Sequence, residues 1–132
     1  MLQYLRSTNS DSIISPQENL RSGSWVRCER PSDEEVSQLL TLGLDEDLIS
    51  DALDPHEVPR IEFDDEWTYL IARLPDTDDD FNDFTTPILF CINKDHIVTL
   101  SRDSLGRLWQ PFIDKVRIRT DRQVELLVAM VE

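Results

Sequence analysis

The sequence contains few of the residues from which catalytic and zinc-binding motifs are built. Its 132 residues include three glycines, two cysteines and two histidines. The glycines are scattered and form no phosphate-binding loop, and the absence of a Cys-x-x-Cys pair argues against a redox motif or a zinc site. The histidines, His56 and His96, lie in unrelated segments without a neighbouring nucleophile. We therefore predict that the chain is not an enzyme.

Long apolar runs and positive charge are also scarce. The longest apolar run, Leu126–Val131, covers six residues, whereas a membrane-spanning helix needs about 20. The N-terminus lacks the apolar core of a signal peptide, so we expect a soluble chain. The 13 basic and 27 acidic side chains give a net charge of −14. This balance argues against binding to nucleic acid or an anionic membrane surface and suits a cation or a basic partner, although solubility alone also explains it.

The two cysteines, Cys28 and Cys91, each lie alone within an apolar, strand-like segment. A free cysteine in such a setting behaves as a small buried apolar residue. Because reduced thiols are typical of cytosolic proteins, we predict buried, reduced thiols and a cytosolic environment.

Strand-like segments alternate with turns over most of the chain. Together with the helices below, they predict an α/β fold of the α+β type, a mixed, largely antiparallel β-sheet flanked by helices on its faces, in one domain over residues 1–132. The predicted strands are Met1–Arg6, a short one near Ile13 and Ile14, Ser24–Arg30, Arg60–Glu66, Trp67–Leu74, Thr85–Asn93 and His96–Ser101.

Two helices between these strands are indicated by capping residues. Ser32 and Glu35 have the spacing of a capping box, Gly43 suits the end of that first helix, and Asp45 suits the start of the second. The second helix has an apolar and a polar face. The apolar face consists of Leu48, Ile49, Ala52 and Leu53, and the polar face consists of Asp47, Ser50, Asp51 and Asp54.

Two more helices are predicted near the end of the chain. The first, Leu105–Arg117, contains Pro111 as a local kink, and Thr120 or Asp121 is expected to cap the second, which runs to Glu132. That last helix has almost no polar face, so we expect it to continue in the natural protein and its outer side to promote self-association. The predicted inner face of the helix Leu105–Arg117 consists of Leu105, Leu108, Trp109, Phe112 and Val116.

The acidic run Asp76–Asp80 resembles the start of a calcium loop. Such a loop requires glycine at its sixth position and glutamate at its twelfth, where this sequence has Phe81 and Pro87. We therefore interpret Pro75–Phe84 as a solvated, mobile hairpin tip.

The stretch Leu48–Phe63 joins a helix to a strand through a stiff connector. Pro55 cannot continue the helix, and Pro59 fixes the entry into the next strand. Asp51, on the polar side of the helix, has no obvious local partner in the sequence, so the connector is expected to hold its carboxylate outward. A plain solvated helix face is the alternative interpretation.

This stretch resembles the amino-terminal cytoplasmic domain of CorA-type magnesium/cobalt transporters. The residues that carry the resemblance are Asp51–Leu53, Asp54–Arg60 and Ile61–Phe63, and the likeness continues through Trp67–Leu74, Thr86–Phe90, Ile97–Thr99 and Leu126–Glu132. Family members also carry a long stalk helix and two membrane helices with a Gly-Met-Asn motif, which this sequence lacks.

The resemblance implies a soluble sensor domain at the cytoplasmic face of the cell membrane, attached to the membrane only through the absent C-terminal helices. It also implies a homo-oligomer, which is a pentamer in full-length members, with divalent cations bound between neighbours. Carried over by position, Asp51 matches the inter-subunit metal carboxylate and Glu132 an acidic residue on the helix before the stalk. Ser50 stands where some members have a second carboxylate, so the resemblance implies weak regulatory binding of Mg²⁺ or Co²⁺.

Two alternatives remain open at this point. The same fold could serve as a protein-interaction module that needs no metal, or as the regulatory domain of a zinc-transporting relative. The sequence does not specify which divalent ion is used.

Overall fold

The computed structural model describes residues 1–7, 14–77, 83–115 and 119–131. Seven strands and four helices are present in this part of the chain. The strands are β1 Leu2–Arg6, β2 Ser15–Gln17, β3 Ser24–Glu29, β4 Arg60–Phe63, β5 Thr68–Thr77, β6 Asp83–Ile92 and β7 His96–Ser101. The helices are α1 Asp33–Thr41, α2 Glu46–Ala52, α3 Gly106–Lys115 and α4 Gln123–Val131.

The strands form a single seven-stranded sheet in the order β2-β1-β3-β7-β6-β5-β4. All neighbouring pairs in this sheet are antiparallel except β3 and β7, which pair in parallel with Trp25 opposite Ile97. The predicted fold class is therefore confirmed. The parallel pair was not predicted, because these two strands are separated in sequence by two helices and three other strands.

Each face of the sheet is covered by one pair of helices. Successive side chains of a strand point to opposite faces, so Val26 packs with α1 and α2, while its neighbour Trp25 packs with α3 and α4. Trp25 meets Trp109 of α3 edge-to-face, with ring centroids 5.5 Å apart. The sheet therefore supports two separate apolar cores, one on each side.

The predicted start and end of α1 are confirmed. The Ser32 hydroxyl accepts a hydrogen bond from the Glu35 backbone N–H at 3.2 Å, and the Glu35 carboxylate accepts one from the Ser32 N–H at 3.0 Å. Gly43 follows the helix with φ +90°, a conformation that glycine adopts without steric cost. Leu44 then turns into the core and is 5% exposed.

Two expectations about the C-terminal helices were incomplete or wrong. Helix α3 includes Pro111, and Leu105 just before it and Trp109 within it are buried as predicted. The helix also buries Ile113, which the prediction omitted. Val116 lies outside the described residues. Helix α4 begins at Gln123, after both residues that were expected to cap it.

Tertiary contacts explain why neither predicted cap is used. Thr120 is buried. Its hydroxyl accepts a hydrogen bond from the Ser7 backbone N–H at 2.8 Å and lies 2.6 Å from the Gly23 carbonyl oxygen. Asp121 instead pairs with Arg119 at 2.6 Å, and this hydrogen bond lowers the pKa of the Asp121 carboxyl. Both side chains stabilise the segment that leads into α4.

Two strand predictions require correction. The short early strand is β2, Ser15–Gln17, one residue beyond the expected position. Strands β5 and β6 continue to a pairing of Thr77 with Asp83, so the predicted hairpin tip is shorter than expected, and its residues 78–82 lie outside the described part. In the part that is described, no helix is long and apolar enough to cross a membrane.

Candidate functional site

Helix α2 places Asp51 at the surface. Its N-terminus is capped by Asp45, whose carboxylate accepts a hydrogen bond from the Leu48 backbone N–H at 3.1 Å. Leu48, Ile49 and Ala52 are buried against the sheet, so helical geometry turns Asp51 away from the core. The Asp51 side chain is 41% exposed. An outward carboxylate was predicted here from the same spacing.

Asp51 has a partner within its own chain, which the sequence analysis missed. The Arg60 guanidinium lies 2.5 Å from Asp51, 2.5 Å from Glu57 and 3.3 Å from Glu62. The hydrogen bond to Asp51, opposed by burial and aided by the charges of Glu57 and Asp51, raises the pKa of Arg60. The expectation that Asp51 lacks a local partner was therefore wrong, because the connector turns back and β4 begins beside the end of α2.

Arg73 of β5 holds this connector in place. Its guanidinium donates to the backbone carbonyl oxygens of Pro55 and Glu57, each at 3.0 Å, and to the backbone and side-chain oxygens of Thr85 at 2.8 and 2.9 Å. The Asp54 carboxylate also accepts a hydrogen bond from the His56 backbone N–H at 2.9 Å. No local sequence signal points to Arg73, since its contact depends on sheet pairing. The bend after α2 is therefore fixed by hydrogen bonds as well as by its prolines.

The second predicted metal residue, Glu132, lies outside the described residues, so its distance from Asp51 is not defined. Among residues 1–7, 14–77, 83–115 and 119–131, no group of three or more His, Cys, Asp or Glu side chains is arranged to hold a metal ion. Within one copy, the site is therefore a surface carboxylate paired with an arginine.

Of the histidines and cysteines, only His56 belongs to a segment of this site, the connector after α2. His56 is an exposed loop residue, whereas His96 is half-buried at the start of β7, where burial lowers its pKa despite the charge of Asp95. Cys28 and Cys91 are both buried and free, as predicted. Burial raises the pKa of Cys28 to about 12 and that of Cys91 well above its ordinary value, so neither thiol is poised as a nucleophile.

An open cleft of about 630 Å³ lies where three turns meet, and the sequence analysis did not predict it. Its acidic side chains come from different turns, so no sequence spacing identifies it. The cleft is lined by Thr41, Leu42, Asp65, Glu66, Asn93, Lys94, Asp95 and His96.

Two exposed apolar surfaces in the described part of the chain are further candidate sites. The outer side of α4 presents Val124, Val128 and Val131, which are 67%, 49% and 41% exposed. This agrees with the apolar outer side predicted for the last helix. The edge strand β4 presents Ile61 and Phe63, which are 60% and 74% exposed.

The sequence model of a family described as CorA-like Mg²⁺ transporter protein matches residues 21–131. The chain belongs to this family. A curated relative, the cobalt/magnesium transport protein CorA of Methanocaldococcus jannaschii, is 30% identical over 88 residues. That alignment covers 64% of this chain and 27% of the relative. The chain thus spans about a quarter of the length of this member of the family.

Solved structures confirm the fold. The soluble domain of CorA from M. jannaschii matches 97% of this chain with a TM-score of 0.73 and 21% identity, and the match covers 53% of that structure. The complete CorA magnesium transporter of the same organism matches 85% of this chain with a TM-score of 0.67 and 21% identity, over 36% of its own length. This CorA-like chain therefore has the fold of the soluble domain of a transporter, and its relatives are transport proteins by name.

Proposed function

We propose that residues 1–132 form the cytoplasmic regulatory domain of a CorA-like divalent-cation transporter, in which Mg²⁺ or Co²⁺ binds weakly between neighbouring copies. Asp51 supplies a metal-facing carboxylate in this proposal, and Glu132 is the acidic residue expected from a neighbouring element. The observation that carries the proposal is the position of Asp51. It is a partly exposed carboxylate in the last turn of α2, beside a connector that Arg73 holds by hydrogen bonds, in a chain that belongs to a family named for Mg²⁺ transport.

The chemistry of Mg²⁺ suits a site of this kind. The ion keeps several of its water molecules and is commonly held by one or two carboxylates rather than by a closed protein cage. The lack of a three-ligand cluster among the described residues is compatible with a hydrated ion shared between two copies. Such an ion would bind through a carboxylate from each side.

Charge supplies the regulatory step. Each copy carries a net charge of −14, so neighbouring copies repel one another at short range. A divalent cation between them reduces this repulsion and favours the associated arrangement, and loss of the ion favours separation. The ion shifts this equilibrium by its difference in affinity for the two arrangements.

Titration calorimetry with Mg²⁺ and Co²⁺ tests this function. The wild-type chain is expected to give a weak saturable heat, which Asp51→Asn removes while preserving the shape of the side chain. Asp33→Asn is the matched control, because Asp33 is an exposed carboxylate on a different helix, at the start of α1. Identical featureless traces for all three proteins would reject metal binding at Asp51.

A metal-independent interaction module is a second candidate, favoured by the exposed side chains of Ile61 and Phe63 on the edge strand. An unpaired sheet edge with apolar side chains is suited to another polypeptide. A stable complex with a second protein that survives chelation of divalent ions, and is weakened by Phe63→Ser, would support this candidate over the first.

A further inference from the structure

A single guanidinium draws three carboxylates together at the end of α2. Arg60 contacts Asp51 of the helix, Glu57 of the connector and Glu62 of its own strand, at 2.5, 2.5 and 3.3 Å. The arginine side chain is 29% exposed and that of Glu57 13% exposed. The group is thus partly shielded from water, although its outer side remains accessible.

Arg60 occupies one of the two Asp51 carboxylate oxygens that a divalent cation could use. The Arg60 Nη2 atom donates to Asp51 Oδ2 at 2.5 Å, a position that a metal ion or its bound water would otherwise occupy. Arginine remains charged throughout the ordinary pH range, and its planar fork holds carboxylates in a defined geometry. A divalent cation that binds Asp51 through Oδ2 would therefore have to displace the guanidinium.

We propose that Arg60 is a built-in competitor of the regulatory cation, which keeps Asp51 neutralised until a divalent ion displaces the guanidinium. This inference rests on the proposed function, since it concerns the same carboxylate. The apparent Mg²⁺ affinity depends on the fraction of molecules in which Arg60 has released Asp51. When a ligand binds only such a minor state, its apparent dissociation constant is the intrinsic one divided by that fraction. The arginine thus sets the cation concentration at which the domain responds.

The surroundings of Arg60 do not depend on the arginine alone. Arg73 independently holds the Pro55 and Glu57 carbonyl oxygens, and β4 is paired with β5 along its length. Removing the charge of Arg60 should therefore leave Asp51, Glu57 and Glu62 close together without a cation. Mutual repulsion then favours the capture of a divalent ion.

The decisive experiment compares Arg60→Gln with Arg122→Gln by titration with Mg²⁺ alone. Both changes remove one positive charge from an ion pair, since Arg122 lies 3.5 Å from Glu125 near the start of α4. Arg60→Gln is expected to lower the Mg²⁺ dissociation constant about fivefold, the upper end of the range for release of a partly exposed ion pair. Arg122→Gln is expected to stay within about twofold of wild type, because salt screens a distant charge.

The outcomes separate this inference from the proposed function. If wild type binds Mg²⁺ through Asp51 and Arg60→Gln binds no more tightly, competition by Arg60 is wrong and the proposed function stands. An equal gain in Mg²⁺ affinity in Arg60→Gln and Arg122→Gln would indicate a general effect of net charge and would also overturn competition by Arg60. If neither wild type nor Arg60→Gln binds Mg²⁺, both proposals fail.

A second variant covers the case in which Arg60→Gln does not fold. Arg60→Lys keeps the charge but lacks the planar fork, so it should hold Asp51 less firmly. Its Mg²⁺ dissociation constant is expected to be lower than that of wild type. A value equal to or weaker than that of wild type would overturn the inference.

Discussion

The Glu29 carboxylate accepts a hydrogen bond from the backbone N–H of Leu105 at 2.5 Å, across 76 positions of sequence. Glu29 is 2% exposed and ends β3, whereas Leu105 immediately precedes α3. The same carboxylate pairs with the buried Arg27 guanidinium at 2.6 Å. One buried ion pair therefore joins the centre of the sheet to the start of a helix that covers it.

Replacing Glu29 by alanine should destabilise the fold strongly. The change leaves the Arg27 charge buried without its partner and removes the acceptor of the Leu105 N–H, a combination that costs about 3–5 kcal/mol. Urea denaturation followed by circular dichroism measures the free energy of unfolding. The exposed Glu34→Ala is the control and should change it by about 0.5 kcal/mol or less. A loss below about 1 kcal/mol for Glu29→Ala would contradict this account of the pair.

Thr120→Val should also destabilise the chain, although it conserves the shape of the side chain. It removes the hydroxyl that bonds Ser7 and Gly23 in the interior, at an expected cost of about 1–3 kcal/mol. The same denaturation measurement applies. Thr41→Val makes the same chemical change at an exposed position, so equal effects of the two substitutions would show that the buried hydroxyl contributes nothing special.

Gly43→Ala should lower stability by about 1–2 kcal/mol, because alanine is strained at positive φ. The new methyl group would also contact Glu66 Oε2 at 3.4 Å and Trp67 Nε1 at 3.6 Å. Gly106→Ala is the matched control, since a Cβ atom there meets nothing within 4 Å. Thermal melts should show a clear decrease only for Gly43→Ala, and an unchanged melting temperature would contradict the left-handed turn.

His96 should make stability depend on pH below neutrality. Burial lowers its pKa in the folded chain below the ordinary value of 6.5, so the unfolded chain takes up a proton first as the pH falls. Stability is therefore fully present above about pH 6.5 and decreases as the pH moves through that value towards the lower native pKa. Urea midpoints measured from pH 7.5 to pH 5.5 should decrease more steeply for wild type than for His96→Gln. The exposed His56→Gln serves as the control, and identical slopes for wild type and His96→Gln would exclude this contribution.

Local sequence was sufficient for several elements of the fold. The Ser32–Glu35 capping box and the Asp45 cap act between residues three apart, so their pattern is visible without any tertiary information. Alternation of apolar and polar residues likewise located six of the strands to within a few residues. The capping prediction failed for Thr120 and Asp121, because these side chains have other partners. Thr120 contacts Ser7 in the interior, and Asp121 forms an ion pair with Arg119.

The candidate site was only partly accessible to the same reasoning. Helical spacing placed Asp51 outward and away from the core. It could not show Arg60, nine positions later, because their contact depends on how far the connector turns. Arg73 and the acidic cleft were missed for the same reason, since each depends on segments that are distant in sequence.

The sequence by itself determined the starts of α1 and α2, the two faces of α2, the strand periodicity and the family resemblance, all of which depend on residues a few positions apart. Only the tertiary structure decided the parallel pairing of β3 with β7 and the partner of the Asp51 carboxylate. Both depend on the meeting of segments whose separation along the chain carries no periodic signal, and hydrogen-bond and charge interactions act through space rather than along the sequence.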